Sequence, residues 1–138
     1  MKSYYTDGSA SPNPGPGGYA IICDGRPVAL GREANSTNIR MEAQALIAAY
    51  RLAEAGDAIY TDSEFWVNVV TKWAPTWERN GWTKKSGPIA NLELVKELYG
   101  LYQSKPDVKL EWTRGHIGTE GNENADEWAN KAREGATL

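Results

Sequence analysis

Several features that mark particular classes of protein are absent or rare in this sequence. A single cysteine, Cys23, excludes an internal disulfide, and its apolar neighbours at positions 20–22 predict a buried core thiol. No window approaches the roughly 20 apolar residues of a membrane span. The first residues contain no apolar run of the kind found in a secretory signal. We therefore expect a cytoplasmic protein without a membrane partner.

An excess of basic charge is also missing. The chain has 15 Lys and Arg residues against 18 Asp and Glu residues, which gives a formal net charge of −3. Taken alone, this balance argues against a nucleic-acid partner, because phosphate binding usually requires an excess of cations. With 138 residues, of which 41% are hydrophobic and 24% charged, the chain is expected to form one globular domain.

Sequence motifs for three other kinds of site are missing as well. The chain has no Cys/His spacing that fits a zinc site, and no Ser-His-Asp or Cys-His pattern for nucleophilic catalysis. The glycine-rich run at positions 15–18 lacks the lysine of a phosphate-binding loop, so a nucleoside triphosphate site is not expected.

The spacing of apolar residues predicts a mixed α/β fold. Strands are predicted over residues 2–6, 19–23 and 26–31, with a turn-rich loop at 8–18 and a two-residue hairpin at Asp24-Gly25. Next come a helix from Met41 that ends at Gly56, a strand over 58–61, and a helix from Ser63 through Thr71 with a helical continuation at Trp73 to Trp77. A helix capped by Asn91, a strand over 108–112 and a last helix capped by Asn122, with Glu123 and Asp126 in its first turn, complete the prediction. This order predicts a five-stranded mixed sheet, in which an antiparallel meander joins parallel strands, with helices on both faces.

Four carboxylates lie at the junctions of these predicted elements. Asp7 follows the first strand, Asp62 follows the fourth, Glu42 begins the first long helix and Asp126 lies near the start of the last one. Each one alone is explained as a solvated surface charge. If all four converge, their mutual repulsion requires bound cations, and oxygen-only ligands favour Mg²⁺ or Mn²⁺.

A lone histidine and a tryptophan-rich stretch add to this hypothesis. His116 lies in a glycine-rich loop ten residues before Asp126, where it could transfer protons near a metal, although a single loop histidine is more often incidental. Trp73, Trp77 and Trp82 alternate with four basic residues between positions 72 and 85, a composition that suits a nucleic-acid backbone. The alternative is that Trp73 and Trp77 form one buried face of a helix.

The residues singled out above occur in motifs that resemble type 1 ribonuclease H. The opening motif is Thr6-Asp7-Gly8-Ser9 followed by the run from Asn13 to Gly18, and the second is Thr37-Asn38 with Arg40-Met41-Glu42. The third is Thr61-Asp62-Ser63, and the fourth is Gly115-His116 with Asn122-Glu123 and Asp126. The stretch at about residues 72–88 resembles the basic handle of that family. The motifs follow one another in order across nearly the whole chain.

The resemblance implies one ribonuclease H domain over residues 1–138, with the ribonuclease H-like fold. It implies an endonuclease that cuts the RNA strand of RNA/DNA hybrids by a two-metal-ion mechanism and leaves 5′-phosphate and 3′-hydroxyl ends. Two Mg²⁺ ions, or Mn²⁺ in their place, would be held by Asp7, Glu42, Asp62 and Asp126. His116 would assist proton transfer or product release, and Glu123 would have an outer role near the second ion.

The resemblance also implies the substrate contacts. They are Asn13, Thr37, Asn38, Arg40, Trp73, Trp77, Lys84, Lys85 and Asn91, and the expected partner of this monomer is an RNA/DNA hybrid. The sequence departs from the family at Ile39, where a polar residue is usual, at Glu64, where glutamine is common, and in a handle with few cations. A related nuclease with another nucleic-acid substrate, a non-catalytic nucleic-acid-binding module and a domain with scattered surface acids are the alternatives. The four intact carboxylates argue against the non-catalytic module.

Overall fold

The computed structural model describes residues 1–114 and 120–138 as a sheet flanked by helices. The strands are β1 (Ser3–Ala10), β2 (Gly15–Cys23), β3 (Arg26–Ser36), β4 (Ala58–Thr61) and β5 (Lys109–Trp112). The helices are α1 (Asn38–Leu52), α2 (Glu64–Asn68), α3 (Ala74–Arg79), α4 (Leu92–Ser104) and α5 (Glu120–Arg133), with a π-helical turn at Val69–Trp73. Within the described ranges, no helix is long and apolar enough to cross a bilayer.

The five strands form one mixed sheet in the order β3-β2-β1-β4-β5. β2 runs antiparallel to both β1 and β3, whereas β4 runs parallel to both β1 and β5. This arrangement confirms the predicted meander joined to parallel strands. β1 is the central strand, and it pairs with β2 over residues 5–10 and with β4 over residues 3–5.

Two consecutive glycines of β2 show that helices cover both faces of the sheet. A Cβ at Gly17 would lie 2.6 Å from the side chain of Met41 on α1, whereas a Cβ at Gly18 would lie 2.8 Å from the Cα of Arg133 on α5. Because consecutive strand residues point to opposite faces, α1 and α5 pack on opposite faces, as predicted.

The largest part of the core lies between the sheet, α1 and α4. Thr37 caps α1, since its hydroxyl oxygen accepts a hydrogen bond of 3.1 Å from the N–H of Arg40. At the other end of α1, the ammonium of Lys105 donates to the carbonyls of Tyr50 and Ala53. The buried residues of α1 are Met41, Ala43, Ala45, Leu46, Ile47, Ala49 and Tyr50. Their burial fixes the orientation of the helix, and therefore of its N-terminal half.

The first three strands extend further than the sequence pattern predicts. β1 continues to Ala10 and β2 begins at Gly15, so only residues 11–14 connect them, and Asp7 lies inside β1 instead of after it. Residues 8–10 pair with residues 17–19. Glycine and serine normally indicate turns, but here the small residues leave room for the helices above and below the sheet. β3 also continues beyond position 31 to Ser36.

The predicted hairpin between β2 and β3 is confirmed. Asp24 and Gly25 both have positive φ, at 53° and 76°. Two central residues with positive φ characterise the turn whose twist matches that of the flanking strands.

The segment that begins at Ser63 continues through the π-helical turn into α3, which confirms the predicted helical continuation at Trp73 to Trp77. Pro75 lies in the first turn of α3, where a missing N–H is tolerated. The helices differ from the prediction at two other places. Asn91 occupies the cap position of α4 but has a φ of 55° and makes no capping hydrogen bond. α5 begins at Glu120, so Asn122 lies inside the helix and Asp126 lies in its second turn, not its first.

Candidate metal centre and nucleic-acid surface

Strand pairing brings Asp7 and Asp62 side by side. β1 and β4 are parallel neighbours, and Tyr5 pairs with Tyr60. The same register, carried two residues further, places Asp7 opposite Asp62, which directly follows β4. The backbone carbonyl of Asp62 also accepts a hydrogen bond of 3.2 Å from the indole N–H of Trp112, a contact the sequence did not predict.

Asp7 is the electrostatic centre of the carboxylate cluster. Burial, the negative charge of Asp62, and a hydrogen bond and charge interaction with Asp126 raise the pKa of Asp7 to about 8. A hydrogen bond of 2.9 Å from the N–H of Gly8 acts in the opposite direction. The predicted convergence of Asp7, Asp62 and Asp126 is therefore present in the fold.

Glu42 enters the cluster from α1. The pKa of its carboxyl group is raised overall, because burial and the charge of Asp62 raise it more than a hydrogen bond with Ser63 lowers it. Ser63 is itself buried, and its hydroxyl oxygen accepts a hydrogen bond of 3.3 Å from the N–H of Trp66. Ser63 thus links Glu42 to the start of α2, a role that a helix cap signal alone could not reveal.

Two glycines allow the helices to approach β1. A Cβ at Gly8 would lie 2.7 Å from the backbone nitrogen of Glu42, and a Cβ at Gly121 would lie 2.6 Å from the ring of Tyr5. Neither distance leaves room for a side chain. Both α1 and α5 can therefore carry their acidic residues close to Asp7.

The carboxylates do not by themselves form a closed cage. Among residues 1–114 and 120–138, no three acidic, histidine or cysteine side chains are arranged as a ready-made metal site. Mg²⁺ usually keeps several waters and binds through one or two carboxylates together with substrate phosphates, so it does not need such a cage. The oxygen-only donors and the repulsion centred on Asp7 fit a hard divalent cation.

His116 and Glu123 were also predicted to lie near the metal centre. His116 lies outside the described residues. Glu123 is in the first turn of α5, and its side chain is exposed.

An aromatic surface lies along the segment from α2 to α3. Trp73 is 38% exposed, and its ring lies 6.2 Å from that of Trp77 and 5.7 Å from that of Phe65. Phe65 is 43% exposed and was not predicted. The Nζ of Lys84 lies 5.8 Å from the ring centre of Trp77. Both interpretations of the tryptophan pair hold in part, because Trp77 packs partly against the core while Trp73 faces solvent.

Asparagines join the β1–β2 connection to α1. The side-chain oxygen of Asn38 accepts a hydrogen bond of 2.7 Å from the N–H of Ala10, and the side-chain oxygen of Asn13 accepts one of 3.1 Å from the N–H of Asn38. Because both amide oxygens are used within the fold, the NH₂ ends of Asn13 and Asn38 are the groups that can face a ligand.

The remaining predicted contacts lie around the start of α4. The guanidinium of Arg40 donates to the side-chain oxygen of Asn91 at 3.1 Å and forms ion pairs with Glu33 and Glu93. Lys85, in the segment before α4, is exposed. Arg40 therefore has acidic partners inside the protein, which its predicted role as a phosphate contact did not anticipate.

Comparison with known proteins places this chain in a family. The RNase H family model matches residues 2–134. The chain is 43% identical over 139 residues to a ribonuclease H of Jannaschia sp. (strain CCS1), covering 91% of this chain and 86% of that protein. It is 40% identical over 134 residues to a ribonuclease H of Methylorubrum extorquens (strain PA1), and the match spans 94% of this chain but 58% of the relative.

Solved structures share the fold of this chain. The crystal structure of LC9-RNase H1, described as a type 1 RNase H with the type 2 active-site motif, is 30% identical and superposes with a TM-score of 0.81 over 99% of this chain and 73% of that one. A foamy viral protease-reverse transcriptase in complex with RNA/DNA hybrid has a TM-score of 0.80 at 20% identity, covering 98% of this chain and 20% of that one, which shows a shared fold.

Proposed function

The chain belongs to the ribonuclease H family, and we propose that it is an endonuclease that hydrolyses the RNA strand of RNA/DNA hybrids at the Asp7 cluster. The observation that carries this proposal is that the half-buried Asp7 interacts with the charges of both Asp62 and Asp126. A structural domain with scattered surface acids has no reason to keep such a group, because it destabilises the fold when no cation is bound.

Asp7, Glu42, Asp62 and Asp126 are the proposed ligands of two Mg²⁺ ions, which Mn²⁺ could replace. When bound, such ions would lower the pKa of a water for attack on phosphorus and neutralise the charge on the leaving 3′-oxygen, giving 5′-phosphate and 3′-hydroxyl ends. The protein's own contribution is to hold the ligands in place. Ser63 orients Glu42 through its hydroxyl, and the N–H of Gly8 fixes one oxygen of Asp7.

His116 and Glu123 have proposed roles outside this ligand set. His116 would assist proton transfer or product release, since imidazole is the side chain that most readily exchanges protons at neutral pH. Glu123 would act from the outer side, near the second ion.

The substrate strands are proposed to be distinguished by their sugars. The NH₂ ends of Asn13 and Asn38 can donate to the 2′-hydroxyls that only RNA carries. Thr37 and Asn91 would hold a phosphate of the DNA strand, while Trp73 and Trp77 would line the channel for that strand and pack against its sugars. Lys84 and Lys85 supply the nearby positive charge.

The decisive experiment is cleavage of an end-labelled RNA/DNA hybrid in a series of MgCl₂, MnCl₂ and EDTA. The wild-type protein should cut only the RNA strand and only with a divalent cation, and Asp7→Asn and Asp62→Asn should not cut. Double-stranded RNA, double-stranded DNA and single-stranded RNA are tested beside the hybrid. Preferred cleavage of one of these would indicate a related nuclease with another substrate, and binding without cleavage would indicate a non-catalytic module.

The proposal includes a monomer that acts in the cytoplasm. Light scattering coupled to size-exclusion chromatography, with and without hybrid, tests the monomer. A dimer mass would contradict it.

A further inference from the structure

The side chain of Arg40 is surrounded by three acceptors, one on β3 and two at the start of α4. Its Nε lies 3.4 Å from Oε1 of Glu33 on β3, and its Nη1 lies 2.6 Å from Oε1 of Glu93 in the first turn of α4. The same Nη1 donates to Oδ1 of Asn91 at 3.1 Å. Only 27% of the side chain remains exposed.

The partners of Arg40 are held in turn by other residues. The side-chain amide of Gln44 donates to the second oxygen of Glu33 at 3.1 Å. Gln44 lies one helical turn after Arg40 on α1, so both residues contact the same carboxylate from one helix. The network therefore fixes Arg40 against β3 and α4, and a guanidinium that forms several such contacts is suited to this task because of its rigid fork of donors.

The hydrogen bond from Arg40 determines which end of Asn91 can meet a ligand. Asn91 has a φ of 55° and does not cap α4 with its side chain. Its Oδ1 is used by Arg40, so its NH₂ group is the end that can donate to an anion. Without Arg40, the amide could rotate and present its oxygen, which a phosphate would repel.

The charges around Arg40 also disfavour direct phosphate binding there. Two carboxylates, Glu33 and Glu93, flank one guanidinium. A phosphate that reached Arg40 would have to displace Glu93 and would then remain beside a like charge.

We propose that Arg40 is a positioning residue that orients the amide of Asn91 toward a substrate phosphate, and that it does not bind phosphate itself. This inference rests on the proposed function, in which Asn91 and Thr37 hold a phosphate of the DNA strand. It reassigns Arg40 from the substrate surface to the network beneath it, with Glu33 and Glu93 balancing its charge.

The dependence of hybrid affinity on salt concentration distinguishes a positioning role of Arg40 from direct phosphate binding by Arg40. Each phosphate contact by a cation contributes about one unit to the slope of log Kd against log salt concentration. Affinity is measured by fluorescence anisotropy of a labelled hybrid in EDTA, which prevents cleavage. Arg40→Gln and Arg40→Lys should each weaken binding by about 3- to 10-fold, the value of one lost hydrogen bond, with an unchanged slope. Lys84→Gln is the matched control and should lower the slope by about one.

A double-mutant cycle tests whether Arg40 acts through Asn91. In the Asn91→Ala background, Arg40→Gln should cause no further loss of affinity, because the group that it orients is gone.

Three results would overturn the proposal. They are a shallower slope for Arg40→Gln, full affinity for Arg40→Lys, and additive losses in the double mutant. Thermal unfolding of each variant identifies losses that come from misfolding, and Arg40→Lys provides a second test if Arg40→Gln does not fold. Hybrid cleavage by the wild-type protein in Mg²⁺ tests the proposed function separately, so its failure is not confused with failure of this inference.

Discussion

Gly8 and Glu42 are in contact through their main chains. A Cβ at Gly8 would lie 2.7 Å from the backbone nitrogen of Glu42 and closer still to the carbonyl group of Met41. Backbone atoms inside a helix cannot move aside as the end of a flexible side chain can. This contact therefore sets the spacing between β1, which carries Asp7, and α1, which carries Glu42.

Gly8→Ala should lower both stability and hybrid cleavage. The added methyl group forces α1 away from the sheet, and overpacking of this kind costs about 1–3 kcal/mol in the free energy of unfolding. The matched control is Gly100→Ala, because Gly100 lies in α4 with nothing within 4 Å of an added Cβ. The control should be stabilised by up to about 1 kcal/mol. Urea unfolding and a cleavage assay measure both effects, and equal behaviour of the two variants would contradict the role of the contact.

The sequence predicted the architecture and the convergence of acids, but not how the elements touch. The five strands, their order along the chain and the Asp24-Gly25 turn followed from local patterns. The length of β1 did not, because Gly8 and Ser9 are turn formers by local preference. Their presence in a strand is explained only by helices that pack against both faces, which is a long-range effect.

The residues of the candidate site could likewise be predicted only in part. The carboxylates Asp7, Asp62 and Asp126 could be selected by motif, whereas the roles of Ser63 and Trp112 depend on hydrogen bonds between elements distant in sequence. Asn91 was expected to cap α4, since asparagine is a common cap residue. Its side chain instead meets Arg40, 51 positions away, and no local pattern could indicate this contact.

Exposed aromatic residues should contribute to hybrid affinity but contribute little to the stability of the fold. Trp73→Ala and Phe65→Ala remove rings that are 38% and 43% exposed. Because these rings would lose their packing against the DNA strand, and burial of a large apolar side chain is worth about 1.5–3 kcal/mol, we expect each variant to weaken hybrid binding by about tenfold with a small change in unfolding midpoint.

Leu52→Ala is the control for this prediction. Leu52 is 42% exposed but ends α1, at the opposite end from Glu42. Its removal should leave hybrid affinity unchanged in the same anisotropy assay. Equal affinities for Trp73→Ala and the wild-type protein would remove the aromatic surface from the binding site.

Asp7 should make the metal-free protein less stable as pH rises. Its pKa is about 8 in the fold, above the value of 3.8 for a free carboxyl group. A raised pKa means that the folded state holds the proton more tightly than the unfolded state does. Stability is therefore lost as pH increases between those two values. In EDTA, the temperature midpoint of thermal unfolding should therefore be lower at about pH 8 than at about pH 5.

Asp7→Asn and Mg²⁺ provide two checks on this pH dependence. The variant lacks the titrating group, so its midpoint should fall less over the same range. Mg²⁺ should raise the wild-type midpoint more at high pH than at low pH, because the ligands must lose their protons to bind it. A parallel fall in the wild-type protein and Asp7→Asn would show that another group is responsible.

Asp57 should have the opposite pH dependence, because its pKa is lowered. Hydrogen bonds from the N–H of Glu54 and the N–H of Lys2, both 2.8 Å, stabilise the ionised form. Each of its two oxygens accepts one bond, which ties the start of β4 to the N-terminal segment. The stabilisation is present above the unfolded pKa and disappears as pH falls through the folded value.

Asp57→Asn should therefore lower the unfolding midpoint at neutral pH and lose its effect in acid. An amide has only one oxygen, so its NH₂ end would face an N–H donor, which leaves one of the two donors without its partner. Asp107→Asn is the control, since the side chain of Asp107 is exposed and its replacement should leave the midpoint almost unchanged. Thermal unfolding of the three proteins across the acid range measures the difference. If the gap between the wild-type protein and Asp57→Asn stayed constant down to the lowest pH, the two backbone hydrogen bonds could not be its source.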